Sequence, residues 1–251
     1  LWSTGDTTQT IYASATGTYS VTVGNGTLNN NLNSLEFNGQ DYAYVQNNIN
    51  PVNKITIMGR INMSQDTDQR TFIQKCDSSD NKLFLIGNEL NTSNSLGYIL
   101  DVNGTDYSLS SNLGNWSSTL PIYQQNWHHF AATYDGEWMR LFVDGVQDTL
   151  EINVVGTLPI SDALTYFGDP IGGGGFPSSK LSEFSVWEVA LTQSKIQEYM
   201  NCPPTGNEVG LVGYWNMDEG SGTTLTDLSG NGNDGTISGA TWSNDTPTQI
   251  C

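Results

Sequence analysis

The chain has 251 residues and a mass of 27.3 kDa, with 8 Lys+Arg against 26 Asp+Glu and a net charge of −18. That balance lacks the basic footprint that phosphate binding requires, so nucleic acid and anionic membrane surfaces are excluded as partners. It is compatible with secretion, with cation binding and with uncharged ligands such as sugars. Charged residues make up only 14% and aromatics 10%, the reverse of a disordered composition.

Strand signals run along the chain from its start. Residues 1–29 hold two short β-like runs, Ile11-Tyr12-Ala13-Ser14 and Gly17 to Val23, then Asn25-Gly26 and a polar Asn29-Asn30-Asn31 linker. A lone hairpin is marginal in water, so this segment is expected to lean on a neighbouring domain. Further short β-branched or aromatic runs follow at 35–37, 54–61, 83–86 and 141–143, separated by Gly, Asn and Asp clusters. Such spacing reads as an all-β sandwich or barrel. One helix is predicted over 192–200, with Thr192 as N-cap and Pro203-Pro204 closing it. No stretch approaches the ~18 apolar residues of a membrane-spanning helix. The chain opens without Met and without the charged start and apolar core of a signal peptide, so a mature product or part of a longer chain is expected.

Four segments carry a resemblance to a known family. They are Ser34-Leu35-Glu36-Phe37-Asn38-Gly39 running to Tyr42-Ala43-Tyr44-Val45; Trp127-His128-His129-Phe130-Ala131-Ala132-Thr133-Tyr134 running to Asp144-Gly145; Leu181-Ser182-Glu183-Phe184-Ser185-Val186-Trp187 ahead of Ile196; and Gly210 to Gly220 followed by Asp227-Leu228-Ser229-Gly230-Asn231-Gly232-Asn233-Asp234-Gly235. Together they resemble a laminin-G-like domain of the concanavalin A-like superfamily. The resemblance implies an all-β jelly-roll β-sandwich with one short helix. In most relatives the Tyr-Trp and Ser-Gly-Asn-Gly segment precedes the Leu-x-Phe-x-Gly strand, whereas here it comes last. A sandwich missing its first strands would leave a sheet edge bare. The expected solution is a circular permutation, in which residues 209–243 supply those strands to a domain spanning 30–251. The alternative is that they begin a second domain. Residues 1–29 resemble the end of an Ig-like repeat of secreted Bacteroidetes surface proteins, which implies neighbouring domains in a longer chain.

Candidate chemistry is sparse. Jelly-roll glycoside hydrolases often carry Glu-x-Asp-x-x-Glu on one strand. The nearest string here is Glu183-Phe184-Ser185-Val186-Trp187-Glu188, with Ser185 at the middle acid. Residues five apart on a regular strand face opposite ways, so retaining hydrolysis would need a bulge. His128 and His129 are adjacent and expected on opposite faces. The loop Asp227, Asn231, Asn233, Asp234 offers oxygen ligands among glycines and is the candidate site for a structural Ca²⁺. Its alternative reading is a plain Asn/Gly/Asp turn. A second candidate is Asp77 with Asp80. Aromatics amid polar loops, Tyr107, Asn112, Asn115, Trp116, Tyr123 and Gln124 with Phe176 in the Gly172–175 loop, are the candidate sugar-binding residues, the alternative being that they cap the sandwich. Trp127, Trp187, Trp215 and Trp242 are read as core. Cys202 and Cys251 bracket the last segment and are expected to be disulfide-bonded, leaving Cys76 a buried free thiol.

The function these observations favour is a non-catalytic carbohydrate-binding or adhesion module of a secreted or cell-surface protein, for polysaccharide or glycoprotein glycan. A glycoside hydrolase or polysaccharide lyase, and a structural adhesin spacer, are the alternatives.

Overall fold

A computed structural model describes residues 31–38, 41–46, 49–63, 71–77, 82–87, 96–111, 126–168 and 179–248. The strands in chain order are β1 (Ser34–Phe37), β2 (Tyr42–Val45), β3 (Ile55–Met63), β4 (Thr71–Cys76), β5 (Lys82–Gly87), β6 (Gly97–Val102), β7 (Thr105–Ser110), β8 (Trp127–Tyr134), β9 (Trp138–Val143), β10 (Val146–Asn153), β11 (Thr165–Gly168) and β12 (Ser179–Trp187). Helix α1 (Gln193–Asn201) follows, then β13 (Leu211–Trp215), β14 (Thr224–Leu225), β15 (Gly235–Ser238) and β16 (Thr241–Ser243). The Ig-like reading of 1–29 falls outside the described residues.

Two eight-stranded sheets face each other. The first runs β10-β9-β8-β3-β12-β1-β16, with β13 also on β12, and the second runs β14-β15-β2-β11-β4-β5-β6-β7. Alternation along the strands decides what goes inside. Phe130, Ala132 and Tyr134 of β8 and Leu181, Phe184 and Val186 of β12 meet Ala43, Val45, Phe84, Ile86 and Phe167 of the other sheet in one core. Its centre is a run of edge-on rings: Phe130 to Phe184 at 5.4 Å, Phe184 to Phe167 at 5.5 Å and Phe167 to Trp215 at 5.1 Å. Gly59 on β3 makes room for this run, since a Cβ there would stand 2.7 Å from the Phe184 ring. The fold is thus the two-layer jelly-roll sandwich that the strand spacing and the family resemblance imply.

The last segment is woven into both sheets. Strand β12 has two partners along one edge: β1 pairs with Ser179 to Leu181 and β13 with Phe184 to Trp187. Strand β16 then covers the free side of β1, and β15 pairs with β2 across the sandwich. Asp245 fastens the end, accepting from Lys180 Nζ at 2.7 Å, Trp127 Nε1 at 3.0 Å and Asn62 Nδ2 at 3.2 Å. Trp187 and Trp215 are fully buried, while Trp127 and Trp242 are only partly so.

Helix α1 lies on the outer face of the first sheet. Thr192 caps it, and Ile196 packs on Met58, Ala131 and Phe142. Tyr199 stacks on Trp187 at 4.9 Å. Gln193 and Gln197 donate to the Gly145 carbonyl, which belongs to a tight turn where Asp144 and Gly145 both have positive φ, 48° and 74°. Two such residues in succession give the turn that matches strand twist. Among the described residues no helix is long and apolar enough to cross a membrane. Cys76 is a buried free thiol, and Cys251 lies outside the described residues.

Candidate functional site: a tyrosine face on the second sheet

Strand β2 reads Tyr42-Ala43-Tyr44-Val45, and Ala43 and Val45 sit in the core. The period of two therefore turns Tyr42 and Tyr44 to the outer face of the second sheet. On β11, Phe167 is in the core, so Tyr166 points outward as well. Register places Tyr166 directly across from Tyr44. The three rings form a cluster, with centroids 6.2 Å apart for Tyr42–Tyr44, 6.0 Å for Tyr42–Tyr166 and 6.4 Å for Tyr44–Tyr166. All three are half-buried, with one surface toward solvent. Burial, together with Cys76 and the two neighbouring tyrosines, raises the Tyr166 hydroxyl above its ordinary value. It stays a neutral donor and acceptor at physiological pH.

The cluster belongs to a longer row. Following the register outward, Thr236 lies beside Tyr44, Gln74 beside Tyr166, then Leu85, Ile99 and Ser108 on successive strands. These seven residues on seven strands are all uncharged, but Gln74 and Leu85 are buried, so the open part beside the cluster is Thr236, Tyr44 and Tyr166. Rings that expose an apolar surface beside polar groups suit a sugar, whose C–H faces are apolar and whose rim is hydroxylated.

Sequence reasoning missed this face. The alternation of Tyr with small and aliphatic residues in β2 was the available signal, but that segment served only as a family pattern. Of the residues it did select, Tyr107 on β7 is turned inward and packs against the core. Tyr107 is thus a partly buried residue that packs on the end of the core, as the capping alternative describes. Asn112, Asn115, Trp116, Tyr123, Gln124 and Phe176 lie outside the described residues, as does Asp80.

The Asp227 loop is a closed hydrogen-bonded knot. Asp227 Oδ1 accepts from the backbone N–H of Tyr214 at 3.0 Å and of Ser229 at 2.9 Å, and Oδ2 accepts from Asn233 N–H at 2.8 Å. Asp234 Oδ1 accepts from Asp227 N–H at 2.8 Å. The amides of Asn231 and Asn233 donate to the Val212 carbonyl at 3.0 and 2.7 Å. Calcium needs converging oxygens, yet here both oxygens of Asp227 already face N–H groups and the two asparagines turn NH₂ groups toward the backbone. These four residues do not fit a calcium cage. Among the described residues there is no group of three or more His, Cys, Asp or Glu that could hold a metal ion.

The two carboxylates of the hydrolase-like string sit in different surroundings. A bulge does interrupt β12 between Ser182 and Ser185. Glu183 sits in it with φ 60°, a costly conformation for a residue with a Cβ. Its side chain is 7% exposed and accepts from Tyr214 Oη and from Asn31 Nδ2, the latter at 2.5 Å. Glu188 lies beyond the end of β12 and is exposed. Both are on the sheet opposite the tyrosines. Of the histidines, His128 bonds Asp144 at 2.8 Å, while His129 is buried and neither ring nitrogen has a partner.

Comparison with known proteins follows the fold. A family model described as the concanavalin A-like lectin/glucanases superfamily, of laminin-G type, matches residues 37–197. The chain is similar in structure to a candidate carbohydrate binding protein from Bacteroides ovatus, with a TM-score of 0.64 and 19% identity. That match covers 87% of this chain and 62% of the Bacteroides protein, so the chain spans less than two thirds of it. It is also similar to a heptameric SAP-like pentraxin from Limulus polyphemus, with a TM-score of 0.55 and 18% identity over 83% of this chain and 96% of the other. A third is the ligand binding domain of botulinum neurotoxin serotype D in complex with N-acetylneuraminic acid, with a TM-score of 0.51 and 16% identity over 65% and 41%. At these identities the likeness is one of fold. No curated protein matches the chain in sequence.

Proposed function

The chain belongs to the concanavalin A-like lectin/glucanases superfamily, and from that premise we propose that it is a non-catalytic glycan-binding module of a secreted or cell-surface protein. The observation that carries this reading is the Tyr42, Tyr44 and Tyr166 cluster on the outer face of the second sheet, within a register row that holds no charged residue. Solved proteins of the same fold that are described as carbohydrate binding or as holding a sugar support it. The non-catalytic part is supported by the burial of Glu183 and its engagement in bonds to Tyr214 and Asn31, with Glu188 exposed beyond the end of β12.

Binding to a glycan array and a soluble polysaccharide panel tests the reading. Tyr44→Ala and Tyr166→Ala are each expected to weaken binding about tenfold or more, as truncating an aromatic anchor does, with little change in melting temperature. Binding that both variants retain in full would remove the site from this face. Release of reducing sugar by the unaltered chain, lost in Glu183→Gln, would make the protein a hydrolase. Adhesion to cells or beads with no glycan bound would make it a spacer or protein adhesin.

The domain reading forms part of the proposal. Residues 30–251 are one domain in which 209–243 stand in for the first strands of relatives, and 1–29 are the end of a preceding Ig-like repeat. Support comes from the pairing of β15 with β2 and β16 with β1, and from a family match that ends at residue 197. We also propose the Cys202–Cys251 disulfide, which would close a loop of roughly 50 residues and add about 4 kcal/mol on a chain-entropy account. Unfolded, unreduced protein should then titrate a single thiol, that of Cys76. Three thiols would show that the bond does not form.

A further inference from the structure

Resting on the glycan-binding reading, we infer that the tyrosine face selects uncharged glycan chains and rejects polyanionic ones such as uronate-rich or sulfated polysaccharides. The argument begins with the cations. The chain has 8 Lys and Arg, and recognition of a carboxylate or sulfate rests on such residues, Arg forks above all. The structure places most of them away from the tyrosines and gives them other work.

Arg60 lies on the first sheet and donates to the Met200 carbonyl. Arg140 is held between Asp135 and Glu151 at 2.6 and 3.0 Å, also on the first sheet. Lys180 pairs with Asp245 at 2.7 Å, and Lys195 with Glu198 on the helix at 2.8 Å. Lys54 immediately precedes β3 of the first sheet. Lys75 is 1% exposed, with Nζ on the Ile49 carbonyl at 2.8 Å and on Asn50 Oδ1 at 2.7 Å. Among the described residues that leaves Lys82, at the start of β5, as the cation of the second sheet still to be placed. Arg70 lies outside the described residues.

Lys82 does not make this face cationic. Tyr98, Leu100 and Val102 of β6 and Tyr107 and Leu109 of β7 pack in or against the core, so Asp101 and Asp106 project outward. The two carboxylates stand opposite each other in register, and Lys82 acts electrostatically on Asp106. Two carboxylates against one ammonium leave this end of the face negative. The seven-residue row from Thr236 through the tyrosines to Ser108 carries no charge. A polyanion approaching it meets a like-charged end of the sheet and a molecule of net charge −18, with no guanidinium or ammonium beside the rings among the described residues. A neutral chain pays none of that repulsion and keeps the contacts with the three rings and the exposed Thr236 hydroxyl beside Tyr44.

Affinity electrophoresis of the full chain, at low and at high salt, tests the inference. The neutral probes are laminarin, xylan, galactomannan and starch. The polyanionic probes are alginate, polygalacturonate and heparin. Expected is retardation by at least one neutral probe, insensitive to salt, weakened about tenfold or more by Tyr166→Ala, and no retardation by the polyanions. Retardation by a polyanion that falls with salt and is lost in Tyr166→Ala overturns the charge selection while leaving the glycan reading intact. Failure of every probe, with no glycan bound on an array either, overturns the glycan reading itself, and the selection falls with it.

Discussion

Lowering the pH from 6.5 to about 4 is expected to remove about 3 kcal/mol of folding stability through His129 alone. The residue is 3% exposed on the outer face of the first sheet, and neither ring nitrogen has a partner. Burial, helped by the charge of Arg60 and opposed by that of Asp144, lowers its pKa from 6.5 to about 3. The unfolded chain accepts a proton near 6.5 while the folded chain does not. Stability is therefore complete above that value and declines by about 1.4 kcal/mol per pH unit below it. Asp135, Asp144, Asp245 and Glu208 act later. Against burial, hydrogen bonds hold all four carboxyls below their ordinary values, with cationic neighbours adding to this at Asp135, Asp144 and Asp245, so their contribution is present above the unfolded pKa and is lost only as the pH falls through the folded one. Urea unfolding across a pH series should show the earlier slope in the unaltered protein and its disappearance in His129→Leu. A slope that persists in the variant would place the proton uptake elsewhere.

Replacing Asp227 with Ala should cost about 3–5 kcal/mol and lower the melting temperature by about 10 °C. The carboxylate serves three backbone N–H groups, of Tyr214, Ser229 and Asn233. Two of those bonds are buried, and a buried donor left without an acceptor costs about 1–3 kcal/mol. The same knot holds the Trp215 indole, whose Nε1 donates to the Asn233 carbonyl at 3.0 Å. Because the role is internal, the loss should be equal in EDTA and in Ca²⁺. Chelation that lowers the unaltered protein to the level of Asp227→Ala would instead make the loop a calcium site.

The Asp227 loop also shows where reading residues in order stops being informative. Two carboxylates and two amides among glycines describe a metal loop and a self-satisfied turn equally well, because composition does not say which atoms face one another. Here the deciding partners were the amides and carbonyls of β13, about twenty residues upstream. The same holds for Glu183 and Glu188. Their spacing identified opposite faces of a strand, and the bulge beside Gly59 then set Glu183 at positive φ under Tyr214. The tyrosine face is a third case. Its alternation was visible in β2, but Tyr166 comes from β11, and only the register of Tyr44 with Tyr166 makes one surface of them.

By itself the sequence determined the all-β class and the capped helix after Thr192. These follow from local rules: the spacing of short β-like runs between turn residues, and cap chemistry. The superfamily was legible as well, because four separated patterns each preserve core positions. The sequence also led to the expectation that residues 209–243 supply strands to this sandwich, but the tertiary structure alone decided that β13, β15 and β16 pair with β12, β2 and β1, that Tyr107 turns inward, and that His129 is buried without a partner. Each of these depends on pairings between strands far apart in the chain. Such contacts form only when the whole sandwich closes, and no local propensity encodes them.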